Sequence, residues 1–178
     1  MSLTIRKRLY VLSIVPLLII ALGMMSFTYI KTTELNQQQT EQTRLNMMEM
    51  KKAELNNYVQ MAKSAVTPLL NRGASLQEAL PILRELEFGS SGYIFGYDSK
   101  GTRILVGKND NGIGENFYDL QDKQGNYLIQ DLLKNAKIGK YTTYYFPKPG
   151  QTEALPKLSY SIYIPQWDLM LGTGFYTD

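Results

Sequence analysis

The strongest constraint on this chain is an uncharged segment near its N-terminus. Residues 9–30 form a run of 22 positions without a charged side chain, and about 20 mainly apolar residues are enough for a helix to cross a bilayer. Arg6, Lys7 and Arg8 come directly before it. The positive-inside rule therefore predicts a transmembrane helix at residues 9–30, a cytoplasmic N-terminus at residues 1–8, and a domain at 31–178 outside the cytoplasm. In a bacterium this is an inner-membrane protein whose domain is periplasmic or extracellular.

A cleaved signal peptide is the alternative interpretation of the same segment. The apolar run is longer than the apolar region of a typical signal peptide, and Met24-Met25-Ser26 is a poor small-residue cleavage site. Pro16 and Gly23 lie inside the run, and membrane helices tolerate both residue types. The sequence therefore favours a retained membrane anchor.

The composition argues against several classes of function. The chain contains no histidine and no cysteine, so it lacks the usual general base near neutral pH, the usual zinc ligand and a thiolate nucleophile. The net charge is +3 and most basic residues are scattered, which gives no case for nucleic acid. The acidic residues around Asp110–Asp122 do not match the spacing of a calcium loop. We expect a protein that is not an enzyme, has no cofactor or metal, and does not bind nucleic acid.

Residues 31–71 predict one long helix, since neither Gly nor Pro occurs before Pro68. From Leu45 an apolar stripe follows heptad spacing, which is typical of a helix packed along one face. Lys52 interrupts this stripe, which otherwise consists of Leu45, Met48, Leu55, Val59, Ala62, Val66 and Leu69. For residues 55–70 we favour packing on the domain's own sheet. For 31–54 that packing and a parallel dimer stalk both stay open, and we expect a homodimer through this helix.

The remaining sequence predicts an α+β domain. Ser75 and Glu78 have the spacing of a capping box, and a short amphipathic helix runs from Leu76 to Phe88, with Pro81 expected to bend or divide it. From Gly89 the apolar period changes to two. Five strands are predicted at 93–97, 102–106 and within 141–150, 156–167 and 171–176, with a helix at 127–136 between the second and third. The region 89–178 should form a five-stranded antiparallel sheet covered by helices.

The last three strands are rich in aromatic rings and hydroxyls, which suits a small anionic ligand. A carboxylate needs a cation and hydrogen-bond donors in a poorly solvated pocket. Strand alternation places Lys157, Ser159, Ser161 and Tyr163 on one face, and Leu158, Tyr160, Ile162 and Ile164 on the other. We interpret the second face as the core face, so Lys157 and Ser159 are preferred for the ligand over Tyr160. An ordinary strand-edge lysine is the alternative. Trp167 either closes the pocket or lies in the core.

Several short motifs in this order resemble one sensor family. They are Gly92-Tyr-Ile-Phe95, Gly101, Asp122-Lys-Gln-Gly-Asn126, Gly139, Tyr144, Phe146-Pro-Lys-Pro-Gly150, Pro156-Lys-Leu-Ser-Tyr160, Trp167 and Gly172-Thr-Gly-Phe-Tyr176. Over roughly residues 35–178 the chain resembles the single Cache domain of the second type, the extracytoplasmic sensor of many bacterial methyl-accepting chemotaxis proteins. The resemblance implies a PAS-like sheet with a long N-terminal helix and a pocket for small organic acids.

The resemblance also implies which residues contact the ligand. Matching positions in this sequence are Tyr93, Phe95, Tyr144, Lys157, Ser159 and Trp167. One departure concerns the end of the second strand, where the family commonly has His-Pro and this chain has Gly107-Lys108. A ligand contact from that histidine would be absent here.

Two other functions stay open at this point. The same domain type could serve a sensor histidine kinase or a cyclase. A pilin-like structural subunit would also join an apolar N-terminal helix to a β domain. Resemblance to pilins, however, would lead us to expect a glutamate early in the apolar run, and residues 9–30 contain none.

Overall fold

The computed structural model describes residues 5–89, 92–148 and 150–177. The chain divides into two compact units, Met1–Glu49 and Met50–Asp178. The first helix, α1, runs over Ile5–Asn71. The helix predicted for residues 31–71 is therefore confirmed. Part of the predicted cytoplasmic N-terminus, residues 1–4, lies outside the described residues.

Within the first unit, α1 is helical from its start and carries exposed apolar side chains. Leu17, Leu18 and Ile19 are each more than half exposed. The described residues include one helix that is long and apolar enough, by length and composition, to cross a membrane. After Ile30 the exposed surface of this unit becomes polar, with few large apolar side chains.

The second unit contains the predicted five-stranded antiparallel sheet. Its strands are β3 (Phe95–Tyr97), β4 (Arg103–Val106), β5 (Tyr141–Pro147), β6 (Ala154–Ile164) and β7 (Leu169–Tyr176), in the spatial order β4-β3-β7-β6-β5. Two short strands, β1 (Glu87–Phe88) and β2 (Gly92–Tyr93), form a separate antiparallel ribbon. The last strand in sequence thus lies at the centre of the sheet, between β3 and β6.

One face of the sheet packs against the part of α1 that belongs to the second unit and against α2 (Leu76–Arg84). The buried residues of this core are Ala62, Val66, Ala79, Leu83, Ile94, Leu105, Ile164, Leu169 and Leu171. The predicted packing of residues 55–70 on the sheet is confirmed, because Leu55, Val59, Ala62 and Val66 are all buried. Burying each larger aliphatic side chain contributes roughly 1.5–3 kcal/mol to folding.

The other face is covered by α3 (Leu128–Ile138), which extends two residues beyond the predicted helix. Gly139 ends it with a left-handed backbone (φ 67°), where glycine carries no Cβ penalty. The aliphatic side chains of α3 pack on the aromatic rings of β3 and β5. The sequence predicts that the face of β6 carrying Lys157 is polar and that the opposite face is the core. Both faces are in fact buried, and Lys157 and Ser159 are 2% and 0% exposed.

Two predicted element boundaries are wrong. The helix predicted to reach Phe88 ends at Arg84, because residues 87–88 pair with residues 92–93 and the Phe88 ring stacks on Tyr58 of α1 (4.2 Å between centroids). The strand predicted at 93–97 is interrupted at Ile94, which is buried. Its carbonyl accepts a 2.7 Å bond from the Gly107 amide. The capping box at Ser75 and Glu78 is present, and Pro81 lies within α2 without dividing it.

Candidate ligand-binding site

A cavity of about 420 Å³ lies between the sheet and α3. This volume is within the range of roughly 300–1,000 Å³ that is usual for small-molecule sites. Strands β1 to β6 and helix α3 supply the walls, and residues 107–109, 111, 148, 150 and 151 supply the rim. The walls are mainly aromatic and aliphatic, and the polar groups among them are those of Tyr93, Tyr97, Arg103, Tyr144 and Lys157, together with the carboxylate of Glu87.

Lys157 is the most unusual group in this wall. Its ammonium donates a 3.3 Å hydrogen bond to the Tyr93 hydroxyl, and its Nζ lies 4.9–5.6 Å from the ring centroids of Tyr93, Tyr176, Phe95 and Phe146. Within the described residues no carboxylate is close enough to form an ion pair with it. Burial therefore lowers the pKa of Lys157 to about 7, since the charged form loses its hydration.

Glycines on the neighbouring strand make room for this lysine. Ser159 of β6 pairs with Gly174 of β7. A Cβ atom at Gly174 would lie 2.1 Å from the Ser159 Oγ and 3.0 Å from the Lys157 Cε. At Gly172 a Cβ would lie 2.9 Å from the Phe95 ring. Close packing next to the cavity thus requires glycine at positions 172 and 174.

The tyrosine hydroxyls of the cavity are protonated at neutral pH. Tyr144 is buried and its hydroxyl lies 3.0 Å from the Ser159 Oγ. Burial raises the pKa of Tyr144 well above its ordinary value, and burial also raises the pKa of Tyr93 and of Tyr97. Since the Tyr93 oxygen accepts from Lys157, its own proton is available to a bound acceptor. The cavity therefore combines one buried cation with neutral hydroxyl donors.

The structure brings most of the predicted site residues together. Tyr93, Phe95, Tyr144 and Lys157 all line the cavity, and Ser159 lies directly behind Tyr144. Trp167 is on the opposite side of the sheet, where its indole N–H donates a 2.8 Å bond to the Ala74 carbonyl and its ring packs on the α1–α2 core. We therefore do not retain Trp167 in the proposed site.

Gly107 is on the rim of the cavity, at the position where the sequence departs from the family pattern. Its φ is 54°, and a Cβ there would lie 3.0 Å from the Tyr93 Cβ. A side chain at this position would need both a strained backbone and a shift of Tyr93. Residue 107 contributes only backbone to the site.

Sequence reasoning missed Arg103 and Tyr97. The Arg103 Nε donates a 3.0 Å bond to the Tyr97 hydroxyl, Nη1 donates a 3.0 Å bond to the Asn111 carbonyl, and the guanidinium stacks 4.0 Å from the Phe117 centroid. A signal was present in the sequence, because Arg103 is the one charged residue in the apolar strand Arg103–Val106. Arginine is rarely buried without a polar partner, so a charged residue in an apolar strand is a candidate for such a contact.

A PAS-like sheet that encloses a small, cation-containing cavity defines a small-molecule sensor domain. Residues 47–178 match the family model described as Single Cache domain 2, so the chain belongs to that family. The resemblance seen in the sequence is confirmed.

Three relatives illustrate the match. The chain is 32% identical over 185 residues to the methyl-accepting chemotaxis protein CtpM of Pseudomonas aeruginosa, covering 100% of this chain and 33% of CtpM. It is 31% identical to the sensor histidine kinase MctS of Rhizobium johnstonii, covering 98% of this chain and 39% of MctS. The crystal structure of a methyl-accepting chemotaxis protein from Vibrio parahaemolyticus has a TM-score of 0.71 at 35% identity, covering 77% of this chain and 95% of that one. The chain spans between 33% and 39% of the length of the two curated relatives.

Proposed function

We propose that this chain is the membrane-anchored sensor region of a bacterial chemoreceptor, with its Cache domain outside the cytoplasm, and that it binds a small organic acid of two to four carbons. One observation carries the ligand class. The ammonium of Lys157 is buried in the cavity wall, and no carboxylate within the described residues neutralises it. A buried charge without a partner is unfavourable, so an anion entering the cavity gains a strong charge-assisted contact.

The rest of the cavity suits a short organic chain. Phe95, Phe146 and the aliphatic side chains of α3 surround the space next to the ammonium. Tyr93 and Tyr144 are protonated and can donate to a carboxylate oxygen. The buried ammonium, the hydroxyl donors and the apolar walls together suit a small organic acid.

The signal reaches α1 through short contacts within the second unit. Tyr93 pairs with Glu87 in the β1–β2 ribbon, and the neighbouring Phe88 ring stacks on Tyr58 of α1. A ligand that binds one arrangement of these groups more tightly than another shifts their equilibrium, and 1–3 kcal/mol is a typical coupling free energy, to order of magnitude. We propose that α1 carries this change toward the membrane and that two copies of the chain pair through the helix.

A sensor histidine kinase is the second candidate, and the 31% identity to MctS over 98% of the chain favours it. Both candidates use the same ligand site and differ in the output domain. Membership of the single Cache domain 2 family gives no support to the pilin-like alternative.

A thermal-shift screen of the 178-residue chain in lipid nanodiscs tests the ligand class. We expect at least one carboxylate of two to four carbons to raise the unfolding midpoint, since a ligand at 100 times its Kd stabilises a protein by about 2.7 kcal/mol. Lys157→Met should abolish the shift while the domain stays folded. Lys63→Met is the matched control, because Lys63 is exposed on the helix surface away from the cavity. If no such acid shifts the midpoint, or if the Lys157→Met variant binds as tightly as the original chain, the proposal is wrong.

A further inference from the structure

Arg103 is a second cation in the wall of the cavity. Its Nε and Nη1 atoms are held by the Tyr97 hydroxyl and the Asn111 carbonyl, and Phe117 supports the guanidinium plane. In the described part of the chain, its Nη2 atom makes no hydrogen bond and no carboxylate pairs with the group. The guanidinium is thus fixed in orientation and still has N–H donors to offer. The planar guanidinium, with its fork of parallel N–H donors, matches the two oxygens of a carboxylate.

Lys157 and Arg103 each donate a hydrogen bond to a tyrosine hydroxyl of the cavity. The Tyr93 oxygen accepts from Lys157 and the Tyr97 oxygen accepts from Arg103, and both tyrosines line the cavity. The charge of Arg103 also reaches Tyr93, because it opposes the rise in the Tyr93 pKa that burial causes. The two cations therefore line one cavity, and each of them contacts a different neutral tyrosine hydroxyl.

The acidic side chains around the cavity do not neutralise these two cations. Glu87 is the acidic residue among those that line the cavity in the described structure, and its carboxylate accepts from Lys108 at 3.3 Å. A ligand with two carboxylates supplies one anionic group for Lys157 and another for Arg103. A cavity of about 420 Å³ also has more room than the smallest acids need.

On this basis, which rests on the function proposed above, we propose that the ligand is a dicarboxylate. One carboxylate binds Lys157 together with the Tyr93 and Tyr144 hydroxyls. The second binds the guanidinium of Arg103 together with the Tyr97 hydroxyl. Arg103 is then the residue that separates dicarboxylates from monocarboxylates of the same length.

Calorimetric titration of the 178-residue chain in nanodiscs with succinate and with butyrate tests this assignment, since both have four carbons. We expect succinate to bind at least about tenfold more tightly, the effect of roughly one charge-assisted hydrogen bond. Arg103→Gln should weaken succinate by about tenfold or more and leave a monocarboxylate within about twofold. Arg72→Gln, which removes a guanidinium paired with Glu78 outside the cavity, is the control and should change neither affinity.

The outcomes separate this inference from the function on which it rests. Equal affinity for succinate and butyrate, or an Arg103→Gln variant that loses affinity for both acids alike, would overturn the role of Arg103 while leaving a carboxylate sensor in place. Absence of binding by every carboxylate would overturn the proposed function itself. If Arg103→Gln lowers the unfolding midpoint of the unliganded chain, Arg103→Lys keeps the charge without the fork and should bind succinate with intermediate affinity. The comparison of succinate with butyrate is made on the unmodified chain, so it does not depend on the folding of any variant.

Discussion

At the scale of single residues, the burial of Lys157 separates the two interpretations of this side chain. A buried lysine in a cavity wall is a candidate ligand contact, whereas an exposed strand-edge lysine is not. Alternation along β6 correctly placed Lys157 and Ser159 on one face. It did not predict that this face is covered. Alternation along a strand shows which side chains share a face, but it does not show which helix packs on that face. The α3 helix supplies that cover, and Ser161 donates a 3.3 Å bond to the Leu132 carbonyl.

The burial of Lys157 predicts a specific pH dependence of stability. Its pKa is about 7 in the folded chain, against about 10.4 in an unfolded chain. Between these values the unfolded state binds more protons than the folded state, so the free energy of unfolding rises with pH. Below about pH 7 the lysine is charged in both states and the full desolvation penalty is present.

From pH 7 to pH 9 we expect Lys157 to raise the free energy of unfolding by about 2 kcal/mol, since each pKa unit corresponds to about 1.4 kcal/mol. Chemical denaturation of the chain and of the Lys157→Met variant at both values measures this contribution as a difference, so that other titrating groups cancel. The variant should also be the more stable protein at pH 7, because it buries no charge. Equal pH slopes in the two proteins would show that Lys157 is hydrated in solution.

At the scale of elements, the β1–β2 ribbon could not be predicted from the sequence. Leu86 continues the apolar face of α2, and strands of two residues have no period to detect. Only the pairing of residues 87–88 with 92–93 shows that the helix must end early. Its position matters because one strand holds the Tyr93 contact to Lys157 and the other holds the stack on α1.

The ribbon should therefore carry the ligand signal to α1, and Phe88→Ala tests this. The chain has no cysteine, so a single Met61→Cys change on the exposed side of α1 accepts one spectroscopic label. In that labelled chain we expect ligand to change the label spectrum. With Phe88→Ala added, the change should shrink by half or more while affinity stays within about threefold, since the ring contacts α1 and not the cavity.

Ile82→Ala is the control for that experiment, because Ile82 is a partly exposed apolar residue of α2 outside the ribbon. It should leave the spectral response unchanged. A full response in the Phe88→Ala protein would mean that the signal travels by another route, such as the Tyr141 hydroxyl, which donates a 2.8 Å bond to the Lys52 carbonyl of α1.

At the scale of the whole molecule, the periodicity of apolar residues predicts the class of fold. It does not predict the position of the cavity. The change from a helical to a two-residue period near Gly89 predicts α1 packed on an antiparallel sheet, and the structure has both. The strand order that places β7 at the centre depends on pairing between distant segments. Arg103 on β4 and Lys157 on β6 meet at one cavity only through that order.

The apolar N-terminal part of α1 is expected to anchor the chain in a membrane. Leu17, Leu18 and Ile19 are exposed, and a contiguous apolar surface of this kind is stable only in a membrane or against a partner. Arg6, Lys7 and Arg8 next to it favour a cytoplasmic N-terminus. When the 178-residue chain is produced in bacteria, we expect it to stay in the membrane fraction after carbonate washing. Mass spectrometry should find the whole 20.3 kDa chain.

A cleaved signal peptide gives the opposite result for the same chain. The product would be lighter by the residues before the cleavage site, and carbonate would release it. Replacing Leu18 by Arg supplies a sharper test, since a charge near the centre of a membrane helix costs about 2.5–3.5 kcal/mol on insertion scales. That variant should move from the membrane fraction toward the soluble or aggregated fraction, whereas Gln38→Arg, in the polar part of the same helix, should not.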